Sequence, residues 1–416
     1  MEALGRLPAV PETRDIGFIF FAMAVGMTAG ARQYALVTRC AACAGLLLLT
    51  AACGGGGTAP TPVPSPSETP SGFAYLQSVS ATGAVVCRQS AESETYRVQW
   101  SLASSGSPVL GEVVEAGAQK QHALRIGPLS ADTLYRYRLR TTAGSLVAEG
   151  TFTTPPPPAA RTVVFASVSD SGWPDGAEAT VAQAIAGSSP APELLLHAGD
   201  VIYPAGGREG YKPYLFDPFA RVLGHLPFFP AIGNHDLETE KGAPWNEAFV
   251  TPANNAELSE RYYSFDWGDL HVLVLDVCSS ACRPGSTSWS FADQDLAAAR
   301  GAWKIVVLHT PPYTGGPNGG SPDVVRYLCP LFEARRVDVV VSGHDHCWER
   351  FKPKGGVLYL VSGGGGAPPD PFAASADLAF GRSVNHFLRG RADAASMLLE
   401  AVDVQGAVFD SVLLKR

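Results

Sequence analysis

The chain has 416 residues, 46% of them apolar and 17% charged, with 44 Gly, 33 Pro, eight Cys and a formal net charge of −8. The apolar share excludes global disorder, the cysteines are too sparse for a disulfide scaffold, and the length allows two or three domains. The acidic balance excludes a nucleic-acid scaffold, which needs a basic face to neutralise phosphates.

The first segment reads as an export signal. Residues 44–52 run Ala-Gly-Leu-Leu-Leu-Leu-Thr-Ala-Ala and end at Cys53, with Arg32 and Arg39 ahead of them. A positive stretch, a short apolar run and small residues before a cut are the parts of a secretory signal, and the run is too short to span a bilayer. The Cys after Thr50-Ala51-Ala52 resembles a bacterial lipobox, which implies lipidation at Cys53. Residues 1–52 are therefore assigned to the signal, with Met27 fitting as an alternative start. Four Gly and an alternating Pro run fill 53–71, a tether that cannot bury a core. The expected location is an exported bacterial lipoprotein that meets the membrane only through this anchor.

From 72 to 155 apolar and polar side chains alternate, as in Tyr96-Arg97-Val98-Gln99-Trp100, His122-Ala123-Leu124-Arg125-Ile126 and Tyr135-Arg136-Tyr137-Arg138-Leu139. Alternation is the period of half-buried strands, and short strands between Ser/Gly turns predict a β-sandwich. The stretch 129–137 resembles the late strand of fibronectin type III domains. Pro155–Pro158 closes this part. From 160 to 416 β-branched runs alternate with Ala-rich segments. Strands are expected over 162–168, 193–197, 271–275, 304–308, 337–341 and 357–361, and helices over 176–186, 211–222, 291–299 and 322–334. A closing strand pair is expected over 396–402 and 408–414. Such alternation predicts an α/β layered fold with its sites at strand C-termini.

Five motifs follow β-runs or lead out of them: Ser169-Asp170-Ser171-Gly172, Gly199-Asp200-Val201-Ile202-Tyr203, Gly233-Asn234-His235-Asp236, His309-Thr310-Pro311-Pro312-Tyr313 and Ser342-Gly343-His344-Asp345-His346. Each alone is a common turn. Together they place carboxylates, an amide, a phenol and imidazoles, each flanked by Gly or Pro, where a metal cluster at a sheet edge needs O and N donors. Four of the nine His lie in them.

This ordered set resembles the calcineurin-like metallophosphoesterase superfamily, and Tyr203 after Asp200 makes it similar to the purple acid phosphatases. Tyr263–Gly268 before His271, His346-Cys347-Trp348-Glu349-Arg350 and the Gly run 363–366 also match that branch, which carries an N-terminal fibronectin-like domain. The resemblance implies a four-layer αββα catalytic domain. It implies that Asp170, Asp200, Tyr203 and His346 bind one metal and that Asp200, Asn234, His309 and His344 bind a second, with Asp200 bridging. His235 would stand outside the metals and protonate the leaving group.

Two cations about 3.5–4 Å apart clamp the oxygens of an in-line displacement and acidify a bound water. An imidazole suits protonation of a departing alkoxide. A tyrosinate favours Fe(III) at the first site, with Fe, Zn or Mn at the second. The implied function is hydrolysis of phosphomonoesters by attack of metal-bound hydroxide. A phosphodiesterase of the same superfamily stays open, as does a surface-displayed binding or adhesion lipoprotein with the sandwich as its working part. The sequence departs from the family in Ser169, in Cys347, and in the run 314–320, which has no His and reads as a flexible pocket rim. Export permits disulfides: Cys278 with Cys282 and Cys329 with Cys347 are the candidate pairs, the latter pinning the metal loop, and Cys87 is expected as a free buried thiol. His197 is either a brace for Asp200 or a plain strand histidine. His386 is expected to be structural.

Overall fold

The computed structural model describes residues 69–174, 177–279, 282–299 and 303–416. Cys53 and the tether up to 68 lie outside the described residues, as does the start of the helix expected at Gly176. The described residues belong to one compact unit, Pro66–Arg416.

Seven strands make the N-terminal sandwich: β1 (Tyr75–Gln77), β2 (Ala84–Glu94), β3 (Tyr96–Leu102), β4 (Val109–Val114), β5 (Gln119–Ile126), β6 (Leu134–Thr141) and β7 (Leu146–Thr153). One sheet has the order β1-β2-β5 and the other β4-β3-β6-β7. This fits the expected fibronectin-like domain. The alternation seen in the sequence is the burial pattern: in β3, Tyr96, Val98 and Trp100 point inward. The sandwich is fastened to the rest of the molecule through β1 and β6. Tyr75 Oη donates to Ala248 O at 2.6 Å, its ring stacks on Phe216 at 4.7 Å, and Tyr137 Oη donates to Gly224 O at 3.0 Å.

The remaining strands are β8 (Val163–Val168), β9 (Leu194–His197), β10 (Phe228–Pro230), β11 (Tyr263–Trp267), β12 (Leu270–Val274), β13 (Trp303–Val307), β14 (Val339–Ser342), β15 (Trp348–Phe351), β16 (Leu358–Ser362), β17 (Leu378–Arg382), β18 (His386–Ala392), β19 (Ser396–Asp403) and β20 (Val408–Lys415). A six-stranded sheet has the order β10-β9-β8-β18-β19-β20, and a seven-stranded sheet β11-β12-β13-β14-β16-β15-β17. Strands β8, β9, β10, β12, β14 and β16 are buried along their whole length, because the sheets are covered on both faces there, whereas the edge strands β17 and β20 are partly exposed. Phe165, Leu194, Leu196, Ile305, Val307, Val339, Leu358 and Leu360 fill the space between the sheets. Their sequence neighbours turn outward: Ala166 and Leu195 pack against the helix Ala177–Ala186, and Val306, Val340 and Tyr359 against the helices Thr287–Ala298 and Cys329–Ala334. Each fully buried Val, Leu, Ile or Phe contributes roughly 1.5–3 kcal/mol. Two sheets with helices outside them make the expected αββα layers.

Two helices differ from expectation because of proline. The span 211–222 breaks into Arg208–Tyr211, a wide turn Lys212–Phe216 and Ala220–Leu223, with Pro218 in the gap. The span 322–334 becomes a wide turn Val324–Leu328 and the helix Cys329–Ala334, with Pro330 inside. A proline lacks the N–H that closes a regular turn, so the chain widens or stops there.

The two expected disulfides are not formed; Cys278, Cys282, Cys329 and Cys347 are free thiols, and so, as expected, is Cys87. Asp276 caps the turn at Cys278 N and Ser279 N, and the Cys278 thiol faces Thr310 Oγ1 at 3.4 Å, while Cys282 is buried in the outer apolar cluster. Cys329 belongs to that same cluster, whereas Cys347 follows His346 at the donor edge. Burial pushes Cys278 up to about 12 and Cys282 to about 11, which keeps both as inert thiols.

Candidate metal centre

β8, β9 and β10 run parallel, and so do β12, β13, β14 and β16. Parallel strands end at the same edge, which is where such folds place their sites. Asp170 follows β8, Asp200 and Tyr203 follow β9, Asn234 and His235 follow β10, His309 follows β13, and His344 and His346 follow β14. The six-stranded sheet thus contributes five of these residues and the seven-stranded sheet three, and all eight expected site residues meet.

The turns that carry them are strained in one way. Asp170, Asp200 and His344 have φ of 58°, 51° and 76°, a region that non-glycine residues seldom occupy and that gathers at functional sites. Glycine makes room beside them. A Cβ on Gly343 would stand 2.3 Å from Asp170 Oδ2, and one on Gly233 would stand 2.1 Å from Asp200 Oδ1.

Around Tyr203 Oη lie Asp170 Oδ1 at 3.0 Å, Asp200 Oδ2 at 3.1 Å and His346 Nε2 at 3.0 Å. Around His309 Nε2 lie Asn234 Oδ1 at 3.0 Å and the same Asp200 Oδ2 at 3.1 Å. Donor atoms of Asp200, His309 and His344 all fall within 4.8 Å of one another. Two donor sets therefore share one carboxylate oxygen.

These sets hold more lone pairs than protons. A tyrosine hydroxyl donates one hydrogen, yet three acceptors ring it. His346 Nδ1 and His309 Nδ1 face the carbonyls of Pro368 and Ala198 at 3.1 and 2.9 Å, which keeps an N–H on Nδ1 and turns Nε2 inward. Asp170, Asp200 and His309 have almost no exposure to water that could resolve the crowding. Burial raises the Asp170 carboxyl. Burial would also raise Asp200, but the His309 imidazolium holds it down at about 2. Burial would lower His309, but Asp200 and Asp170 raise it to about 10. Burial and both carboxylates push Tyr203 well above the usual phenol range. Cations held by these atoms would relieve the crowding of acceptors, and the mixture of carboxylate, phenol, amide and imidazole suits hard to borderline ions. The residues fit a pair of metal ions.

His235 stands beside the donors. Its N–H backbone group donates to Asp200 Oδ1 at 2.9 Å, its Nδ1 is held by Pro204 O, and its Nε2 lies 4.0 Å from Asp200 Oδ2. Its side chain is 33% exposed, far more than His309, so it faces incoming molecules.

His197 is neutral and buried, lowered to about 3 by burial; it bonds Ser171 Oγ at 2.9 Å and accepts from Gly199 N at 3.2 Å. It braces the turns on either side of Asp170 and Asp200 rather than Asp200 itself. His386 is a buried strand histidine bonded to Ser362 Oγ and Val384 O, as expected. Three supports were not assigned from the sequence. Asp236 accepts from Val201 N, Ile202 N and Gly233 N at 2.9–3.2 Å and so ties the Asp200 turn to the Asn234 turn. Asp345 and Glu349 are buried and hold the Gly-rich run: Thr314 Oγ1 lies 2.6 Å from Asp345 and 2.7 Å from Glu349, while Gly315 N and Asn318 N donate to Glu349 and Asp345. The rim expected to be flexible is clamped. A carboxylate inside each motif was the available signal.

Residues 164–348 match the Calcineurin-like phosphoesterase family. The chain carries this domain. By sequence it is similar to purple acid phosphatases. Purple acid phosphatase 22 of Arabidopsis thaliana is 31% identical over 297 residues, 63% of this chain and 64% of that protein. Purple acid phosphatase 21 of the same plant is 30% identical over 269 residues, 59% and 58% of the two chains. This chain spans less than two thirds of the length of these curated relatives. The structure of a purple acid phosphatase from yellow lupin (Lupinus luteus) seeds superposes with a TM-score of 0.72 at 20% identity, over 83% of this chain and 74% of that one. That likeness concerns the fold.

Proposed function

We propose that this chain is a dinuclear-metal phosphatase that hydrolyses phosphomonoesters. The observation that carries the reading is the single oxygen, Asp200 Oδ2, shared between a set with Asp170, Tyr203 and His346 and a set with Asn234, His309 and His344. The two sets would each hold one ion, Fe(III) beside Tyr203 and Fe, Zn or Mn beside His309. Such ions supply Lewis acidity to phosphoryl oxygens and lower the pKa of water. The chain's residues do the rest. Pro204 O fixes the His235 ring through Nδ1, so Nε2 is the atom free to give a proton to the departing alkoxide. Asp236 and the clamped 314–318 run keep the donor turns from drifting.

Purified protein should release phosphate from p-nitrophenyl phosphate faster than it cleaves bis-p-nitrophenyl phosphate, and should contain two metal ions with a phenolate-to-Fe(III) absorption band. A faster diester rate overturns the monoester assignment. A colourless active protein holding only Zn or Mn overturns the iron assignment. We also propose export and membrane anchoring through a lipidated Cys53, which Cys53→Ser should convert to release into the soluble fraction.

A further inference from the structure

Trp173 follows the Asp170 turn and is half-buried. Its ring lies 4.8 Å from the Tyr203 ring and, edge-on, 6.2 Å from His346. Tyr203 lies 4.5 Å from the His235 ring. The three rings follow one another, tilted by 53° and 46°, with the buried Tyr203 between Trp173 and the proposed proton donor. Tyr203 is committed to the donor cluster through its hydroxyl, and His235 to Pro204 O and Asp200. Among the described residues the Trp173 ring meets the Tyr203 and His346 rings, and its half-buried side chain leaves part of the indole surface toward solvent. At the other end of the cluster Asn318 Nδ2 donates to His344 O, and the rim there carries Gly315, Gly316, Gly319 and Gly320, with open space beside Gly319. With a tilted, half-buried indole beside Tyr203 and a rim without bulk beside His344, the cluster can take a planar group near His235.

We propose that Trp173 determines specificity: its indole stacks on the aromatic alcohol portion of a phosphate ester, so that the site favours aryl over alkyl monoesters. This rests on the phosphatase reading above. The departing group must sit where His235 can protonate it, and the three rings lead to that residue. Offset or edge contacts between aromatic rings favour such a substrate beyond the area they bury.

The test uses the metal-loaded protein and two readouts. Calorimetry with phenylphosphonate and methylphosphonate, which are not hydrolysed, should show the wild type binding the phenyl compound about tenfold more tightly, an advantage that Trp173→Ala removes and Trp173→Phe keeps. In kinetics, the ratio of kcat/KM for phenyl phosphate to that for glycerol phosphate should fall about tenfold in Trp173→Ala, through KM, and stay near wild type in Trp173→Phe. Taking ratios cancels any general damage to Tyr203. Equal binding of the two phosphonates by the wild type, or a ratio unmoved by Trp173→Ala, overturns the proposal and leaves the phosphatase reading standing. A wild type that binds neither phosphonate and cleaves neither ester overturns both.

Discussion

His122 in the sandwich and His309 at the strand edge are both wholly buried, and each has a carboxylate oxygen close by, at 2.8 Å from Glu115 and 3.1 Å from Asp200. In the sandwich the count of protons and lone pairs closes. His122 Nδ1 meets Glu115, Nε2 meets Ser90 Oγ at 2.9 Å, and the rest of Glu115 is taken by Tyr96 N and Gln119 Nε2. At the edge it does not close: Nε2 of His309 faces two oxygens, and a second set crowds the same Asp200. A Ser-His-Glu row can thus be plain structural satisfaction, while an excess of acceptors marks a place built for a cation. The number of unsatisfied lone pairs, more than the residue types, separates the two regions.

The largest effect expected from breaking this contrast is at the shared carboxylate. Asp200→Ala should lower both metal content and kcat/KM by well over about a hundredfold, since even the partners that merely support metal ligands are worth 10–100-fold. Retention of both ions would sink the bridging role. His235→Ala comes next, with a loss in kcat of about 10²–10⁴-fold and unchanged metal content. An equal loss of metal would show instead that His235 is a ligand. His122→Ala should do the reverse. It leaves the buried Glu115 short of a donor and should cost about 1–3 kcal/mol in denaturant unfolding, with kcat unmoved. A change in kcat would mean that the sandwich network reaches the edge.

The smallest effect sharpens the contrast with a third histidine. His271 lies between Asp266 and Asp295, each at 2.8 Å, so both ring nitrogens donate. Burial would lower it, but the two carboxylates raise it to about 9. A pKa raised above its unfolded value of about 6.5 gives stability that is complete below pH 6.5 and is lost as pH rises through 9. Because Asp266 is largely exposed, the loss should not exceed about 3 kcal/mol and will be less than that. Wild-type protein should weaken between pH 6.5 and 9.5 in urea titrations, and His271→Gln should remove that slope. Parallel slopes would count against an imidazolium at this place.

The donor edge was legible because each ligand directly follows or closely trails an apolar run, and because Gly at 199, 233 and 343 marks turns where side chains press close. The two-sheet core was legible from runs apolar at every position. What stayed hidden depends on partners far along the chain. The 314–320 run looks slack until Asp345 and Glu349 are seen beneath it. Cys278 and Cys282 look like a pair until Asp276 turns one of them toward Thr310. The indole beside Tyr203 is a single Trp in the sequence, and only the turn at Asp170 lays it there. The broken helices were readable from Pro218 and Pro330, where the Ala-rich and apolar pattern outweighed two missing N–H groups.

The position of β18 between β8 and β19 sets an order of events in time. Asp170 hangs from β8, whose two neighbours are β9 and β18. The β18 neighbour, residues 386–392, is synthesised long after the donors themselves, and such distant pairings form late. A growing chain should therefore leave the β8 that carries Asp170 paired on one side alone until the final strands arrive. A chain cut short before β18 should leave β8, and the Asp170 that hangs from it, with a single neighbour strand and the donor edge unfinished.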